Sequence, residues 1–235
     1  MEKVHKVVKQ YRRKGRKEKI FIPGAARAGT TLVHKCLLVS GLVNWGPWHL
    51  HIYDSEAKVR GNMWRSYPNI KPLYVKPKNF FEIAKSPDLS LAMDKLMEIY
   101  PNSKYIIFER DIEERIPSFI GGFGKDLYDN LINYPNMMGA FEQELGEYPK
   151  DNETLLRGYF MLLQRLREEA LQDYDHSLIL RVDFHKLMND WDKEMTKICE
   201  FVEGIEYEYY KPVWDVIRTM KMIPTASDVK SYIIA

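Results

Sequence analysis

Short apolar runs alternate with longer amphipathic stretches along the chain, and the two patterns predict different elements. Runs bounded by turn residues or charges are typical of buried strands. They predict strands at residues 19–22, 73–76, 81–85, 104–108 and 177–181. The runs at residues 19–22 and 104–108 are expected to form buried strands.

Apolar residues three and four positions apart predict the helices that separate these strands. The first begins at Thr30 or Thr31 and ends near Gly41, and the others cover residues 89–100, 111–119, 152–174 and 191–202. Residues 121–124, Gly-Gly-Phe-Gly, predict a flexible loop. Alternating strands and helices indicate an α/β fold with a central, mostly parallel sheet flanked by helices, in one domain over residues 20–235.

The charge distribution separates the first 19 residues from the rest. The formal net charge is +2, but residues 1–19 hold nine Lys or Arg against two Glu. This basic N-terminal arm can contact an anionic surface, a membrane or a nucleic acid. A solvated tail whose Val and Tyr side chains dock on the domain is the alternative, and base-reading motifs are missing elsewhere in the sequence.

Hydropathy and cysteine content predict a cytoplasmic protein without a transmembrane segment. The longest apolar stretch, residues 31–43, is interrupted by His34 and Lys35, and a membrane span needs about 20 apolar residues. The amino terminus lacks the apolar core of a signal peptide. The two cysteines, Cys36 and Cys199, lie in predicted helices among apolar residues, which fits a reducing compartment.

The loop after the first strand carries the strongest chemical signal. Gly24 and Gly29 have the G-x-x-x-x-G spacing of a phosphate-binding loop, but Thr30 follows where a nucleotide triphosphatase has Lys. Backbone N–H groups and the amino end of the following helix can still bind one phosphate, with hydroxyl donors from Thr30 and Thr31. Arg27, inside the loop, could neutralise charge at the bridging oxygen of an anhydride. An ordinary tight turn with a Thr cap is the alternative.

With these residues in view, the sequence resembles the sulfotransferases that use 3′-phosphoadenosine 5′-phosphosulfate, in particular their bacterial type with a P-loop-like α/β fold. Their 5′-phosphosulfate loop reads P-R-S-G-T-T or P-K-S-G-T-T after the first strand. Here the loop reads A-R-A-G-T-T. The resemblance implies that the donor's phosphosulfate is bound by the last five of these residues, which are Arg27, Ala28, Gly29, Thr30 and Thr31.

Two later stretches extend the resemblance. The family has a strand that ends in Arg and a Ser eight residues later, and Arg110 and Ser118 have this spacing. The resemblance implies that both bind the 3′-phosphate, with the guanidinium bidentate. Residues 180–204 are similar to the family's late R-Y-E-D-L segment and the helix after it. Val182 replaces the Tyr that often contacts adenine, and two residues are inserted before the helix.

The resemblance implies in-line transfer of a sulfuryl group to an acceptor hydroxyl or amine. Arg27 is the candidate for stabilising the charge on the leaving phosphate. Lys85, which stands in a Lys-Ser-Pro sequence like that of the family, is the candidate for donating hydrogen bonds to the sulfuryl group. Lys85 as a surface cation is the alternative. The candidate bases are His49, His51 and Glu56, because bacterial-type members place an acidic catalytic residue in this segment. Histidine has the more suitable pKa, roughly 6.5.

Other functions make different demands on the sequence. A P-loop kinase or nucleotide hydrolase needs the Lys that Thr30 replaces and an acid for Mg²⁺. A noncatalytic polyanion-binding module would depend on the basic arm. His49 and His51 alternate like a metal pair, but no third ligand stands out, so no metal is expected. The partners expected are the nucleotide donor and an acceptor of unidentified class.

Overall fold

In the part of the chain that the structure describes, four parallel strands form a central sheet. The computed structural model describes residues 18–42, 67–68, 82–123 and 131–219. The strands are β1 (Ile20–Ile22), β2 (Ile83–Lys85), β3 (Lys104–Glu109) and β4 (Ile179–Asp183). Their order in the sheet is β2-β1-β3-β4, and every neighbouring pair is parallel. The predicted α/β fold with a parallel sheet is therefore confirmed.

Helices follow each strand, as parallel connections require. The α-helices are α1 (Thr30–Val39), α2 (Met93–Ile99), α3 (Ile112–Phe123), α4 (Pro135–Leu145), α5 (Asn152–Leu171), α6 (Phe184–Asn189), α7 (Trp191–Val202) and α8 (Tyr207–Thr219). The 3₁₀ helices Pro87–Ala92 and His176–Leu178 precede α2 and β4, respectively.

The two faces of the sheet pack against different helices because successive strand residues point in opposite directions. On one face, Ile20, Ile22, Ile106 and Phe108 pack with α1, α6, α7 and α8. On the other face, Phe21, Ala84, Tyr105 and Ile107 pack with the first 3₁₀ helix, α2 and the end of α5. Helices α3, α4 and α5 form a further apolar cluster. The sheet is thus covered on both faces.

Most element positions agree with the hydrophobic pattern, and α7 has the predicted bounds. The prediction of a flexible loop at residues 121–124 is wrong for its described part, because α3 continues to Phe123. Each Gly costs a helix interior about 1 kcal/mol. Packing of Ile116 and Phe119 into the cluster of α3, α4 and α5 provides the compensation.

Other boundaries differ by a few residues. The helix predicted from residue 89 begins as the 3₁₀ helix Pro87–Ala92, in which the Ser90 hydroxyl donates to Pro23 O. The helix predicted to residue 174 ends at Leu171, and the strand predicted at 177–181 lies at Ile179–Asp183. The strand predicted at 73–76 lies outside the described residues.

Cys36 and Cys199 are free thiols in the apolar core, as their sequence surroundings predict. Burial raises the pKa of both thiols, that of Cys199 to about 12. Among the described residues, no helix combines the length and the hydropathy that crossing a membrane requires.

Candidate active site

The loop between β1 and α1 is a tight turn that packs closely on the helix after β4. Ala28 N–H donates to Ala25 O across the turn, at 3.3 Å. Gly29 has φ 82°, and a Cβ at this position would lie 3.2 Å from Leu187 Cδ2 in α6. Glycine therefore allows both the left-handed backbone and the close approach of the two segments.

Arg27 is an exposed residue of this turn with a left-handed backbone, φ 66°. Its Nε donates to the hydroxyl of Ser118 in α3, at 3.0 Å. Two residues that lie 91 positions apart in sequence are thereby in direct contact.

Arg110 follows β3 and binds the backbone of the same turn. Its Nη1 donates to Arg27 O at 2.7 Å, and its Nε donates to Glu114 at 3.1 Å. The guanidinium lies 4.1 Å from the centre of the Phe184 ring, in cation–π geometry. These three partners fix the orientation of the Arg110 side chain. Glu114 also contacts His185 Nε2, at 2.9 Å.

A second arginine, Arg115 in α3, binds the preceding carbonyl of the turn. Its Nε donates to Ala26 O at 3.0 Å, and its guanidinium lies 3.9 Å from the centre of the Phe160 ring. Only 2% of Arg115 is exposed. Burial, together with the neighbouring charge of Arg167, lowers the pKa of Arg115 to about 9.

The topology of the sheet explains why these residues meet. The connection after β1 leads to β2 on one side, whereas the connection after β3 leads to β4 on the other side. Such a reversal opens a crevice at the carboxyl ends of the two strands, and open α/β sheets bind ligands there. The turn at Arg27 and the start of α3 form the two walls of this crevice.

A cavity of about 660 Å³ adjoins Arg110 at the carboxyl ends of β3 and β4. Arg181 in its wall donates to Glu109 at 2.7 Å and to Glu168 at 2.5 Å. Burial opposes ionisation of Glu168, but hydrogen bonds and charge from Arg181 and Arg167 outweigh burial and hold its pKa below the usual range. The cavity wall is therefore a network of paired charges.

Lys85 lies at the same edge of the sheet as the turn. It is the last residue of β2 and stands opposite Ile22, the last residue of β1. Ser86 N–H then donates to Ile22 O at 3.2 Å. Parallel pairing therefore brings Lys85 to the strand end from which the turn begins.

The structure brings together some of the predicted site residues. Arg27 contacts both Ser118 and Arg110, and Ala28, Gly29, Thr30 and Thr31 lead from the turn into α1. His49, His51 and Glu56 lie outside the described residues. Arg115 was not among the predicted site residues. Its position lies inside the helix predicted at residues 111–119, but its contact with Ala26 depends on tertiary structure.

Within the described part of the chain, no group of three or more His, Cys, Asp or Glu side chains could hold a metal ion.

Comparisons with known proteins identify the family. The sulfotransferase family matches residues 44–209, which is well over half of the chain. No curated protein sequence matches significantly. Among solved structures, the sulfotransferase STF9 from Mycobacterium avium is similar in fold, with a TM-score of 0.50 and 12% sequence identity, over 97% of this chain and 79% of that chain. The chain therefore belongs to the sulfotransferase family.

Proposed function

We propose that the protein transfers a sulfuryl group from 3′-phosphoadenosine 5′-phosphosulfate to an acceptor hydroxyl or amine. The observation that supports this donor is the convergence of Arg27, Arg110 and Ser118 in the crevice between β1 and β3. Two guanidinium groups and a hydroxyl beside a helix amino terminus suit a ligand with two separate phosphate groups.

In the proposed reaction, the acceptor oxygen or nitrogen attacks sulfur in line with the bridging oxygen. The bond from sulfur to the acceptor forms while the bond from sulfur to the bridging oxygen breaks. That oxygen leaves on the 5′-phosphate of adenosine 3′,5′-bisphosphate, and the acceptor proton passes to a base. The amino end of α1, with Thr30 and Thr31, holds the 5′-phosphate. Arg27 stabilises the charge that develops on the leaving oxygen.

The 3′-phosphate is assigned to Arg110 and Ser118. Both side chains contact Arg27: Arg110 donates to the backbone oxygen of Arg27, and the Ser118 hydroxyl accepts from Arg27 Nε. The Arg110 side chain is 17% exposed, so an anion can reach it from the crevice. A ligand bound here would also lie beside Arg27, which links recognition of the nucleotide to the group that stabilises the transition state.

Lys85 is assigned to the sulfuryl group because it ends the strand next to β1. His49, His51 and Glu56 remain the candidates for the base that receives the acceptor proton. The basic N-terminal arm is proposed to contact anionic surfaces, and no metal ion takes part in the proposed reaction.

Calorimetric titration tests the donor without knowledge of the acceptor. Adenosine 3′,5′-bisphosphate should bind in the absence of Mg²⁺, and adenosine 5′-monophosphate, which lacks the 3′-phosphate, should bind more weakly. Tighter binding of ATP with Mg²⁺, together with ATP hydrolysis, would instead identify a P-loop nucleotide hydrolase. Binding only to polyanions, with a steep loss of affinity as salt increases, would identify a polyanion-binding module.

A further inference from the structure

The turn that carries Arg27 uses a backbone conformation that normally requires glycine. The hydrogen bond from Ala28 N–H to Ala25 O makes Ala26 and Arg27 its two central residues. Among the described residues, only Arg27 and Glu203 combine a side chain with positive φ, so Ala26 has negative φ. This combination defines a type II turn, whose third residue is usually Gly. A non-glycine residue in the left-handed region is strained, because its Cβ crowds the backbone there.

A type I turn is the competing conformation, and it places no left-handed residue in the loop. The two turn types differ by a flip of the central peptide, here the one that joins Ala26 to Arg27. The direction of Ala26 O therefore decides between them. In the structure, this oxygen accepts a hydrogen bond from Arg115 Nε at 3.0 Å. A flipped peptide would lose that bond.

The position of Arg115 is itself tightly determined. The side chain is 2% exposed, and its guanidinium stacks at 3.9 Å on Phe160, a buried residue of α5. Helices α3 and α5 pack together through Ile116, Phe119 and Phe160. A hydrogen bond from such a fixed, charged donor is stronger than one between neutral groups, and it offsets the strain of the left-handed residue.

We infer that Arg115 is a positioning residue that holds the peptide between Ala26 and Arg27 in the type II orientation and thereby directs the Arg27 side chain to Ser118. The contact between Arg27 and Ser118 is the consequence of this orientation. Arg110 adds to the effect because it binds the next carbonyl, Arg27 O. Only the effect of Arg115 on turnover rests on the proposed function.

The inference can be tested by NMR of arginine side chains, which requires no donor. The Nε–H signal of Arg27 is assigned from its absence in Arg27→Lys. In Arg115→Met, which keeps the length of the side chain without its donors, this signal should shift and exchange faster with water. Arg157→Met is the matched control, because Arg157 binds Glu113 of the same helix α3 and does not contact the turn. The control should leave the Arg27 signal unchanged.

Turnover adds a second readout, measured as hydrolysis of the donor with water as acceptor. In Arg115→Met, kcat should fall at least about tenfold, a change of about 1.4 kcal/mol in the barrier. The bisphosphate Kd should change less than about threefold. Phe160→Leu, which removes the ring under the guanidinium, should shift the Arg27 signal in the same direction. If Arg115→Met does not fold, Phe160→Leu provides the test.

An Arg27 signal that stays at its wild-type position in folded Arg115→Met and Phe160→Leu overturns the inference. Equal shifts in Arg115→Met and Arg157→Met also overturn it, because they indicate a general loosening of α3. If the wild-type protein binds no bisphosphate, the proposed function fails, whereas the NMR comparison still decides the role of Arg115.

Discussion

Arg27 is an exposed residue in a turn whose backbone is held by two other arginines, so its substitution separates binding from chemistry. Arg27→Ala should reduce kcat for donor hydrolysis by roughly 10²–10³, as loss of a transition-state donor does. Bisphosphate affinity should fall much less, because backbone N–H groups retain the ground-state contacts. Arg27→Lys, which keeps the charge, should be intermediate. A proportional loss in kcat and affinity would contradict the assigned role.

Arg110 is expected to distinguish ligands by their 3′-phosphate. Arg110→Ala should weaken adenosine 3′,5′-bisphosphate roughly ten- to a hundred-fold, the usual effect of losing a charged hydrogen bond. Adenosine 5′-phosphosulfate, which lacks the 3′-phosphate, should change less. Ser118→Ala should have the same selectivity with a smaller effect, because a neutral hydroxyl contributes less than a guanidinium. If calorimetry finds the same loss of affinity for both ligands, the role of Arg110 is to hold the turn and not to bind the 3′-phosphate.

The base can be identified from the pH dependence of transfer once an acceptor is available. A histidine with an ordinary pKa near 6.5 gives a rate that falls as pH decreases through about 6 to 7, because its protonated form accepts no proton. A carboxylate with an ordinary pKa keeps the rate constant down to about pH 5. His49→Ala or His51→Ala should abolish transfer and preserve bisphosphate affinity, with Glu56→Gln as the second candidate. Normal turnover in all three variants would show that the proton leaves by another route.

At the scale of elements, Gly158 sets the distance between α4 and α5. An alanine Cβ at this position would lie 2.8 Å from Phe141 Cβ and 3.1 Å from Leu145 Cδ1. Alanine gains about 1 kcal/mol of helix propensity over glycine, but overpacking costs about 1 to 3 kcal/mol. We therefore expect Gly158→Ala to lower the free energy of unfolding in urea.

Gly139→Ala is the matched control for this prediction. Gly139 lies in α4, and a Cβ there meets no atom within 4 Å. Helix propensity then acts alone, and this variant should gain up to about 1 kcal/mol. Stabilisation by both variants would mean that α4 moves away from α5 at little cost.

The bounds of α7 and the positions of β1 and β3 could be predicted from sequence because apolar periodicity and burial agree there. Helices α4, α6 and α8 were not predicted. Helix α8 contains Pro212 and is rich in tyrosine, so its local propensity is weak, and packing of Trp214 into the core stabilises it. The Gly pair at residues 121 and 122 likewise led to the wrong prediction of a loop, because tertiary contacts outweigh the low helix propensity of glycine.

The residues of the candidate site also differ in whether the sequence could predict them. Arg27, Arg110 and Ser118 could be selected because each stands at a fixed spacing from a strand or a glycine. Arg115 could not, because its contact with Ala26 O joins residues 89 positions apart, and no local pattern records it. Sequence thus identifies the groups that can face a ligand, whereas the groups that orient them emerge from packing.

At the scale of the whole molecule, the crevice joins parts of the chain that are far apart in sequence. The chain after β1 leads to β2 at one edge of the sheet, whereas the chain after β3 leads through α3 to β4 at the other edge. The pairing of β1 with β3 and the hydrogen bonds of Arg27, Arg110 and Arg115 link them. A ligand that contacts both walls adds a further link that exists only in the folded protein.

Adenosine 3′,5′-bisphosphate should therefore stabilise the entire domain. At a concentration of 100 times Kd, a ligand that binds only the folded state adds about 2.7 kcal/mol. In a domain of this size, that corresponds to an increase in Tm of about 5 to 10 °C in a thermal unfolding scan, with or without Mg²⁺. At the same concentration, an Arg110→Ala variant with ten- to a hundred-fold weaker binding retains only about 0.4 to 1.4 kcal/mol. An equal increase in Tm in both proteins would show that the ligand binds elsewhere than across the crevice.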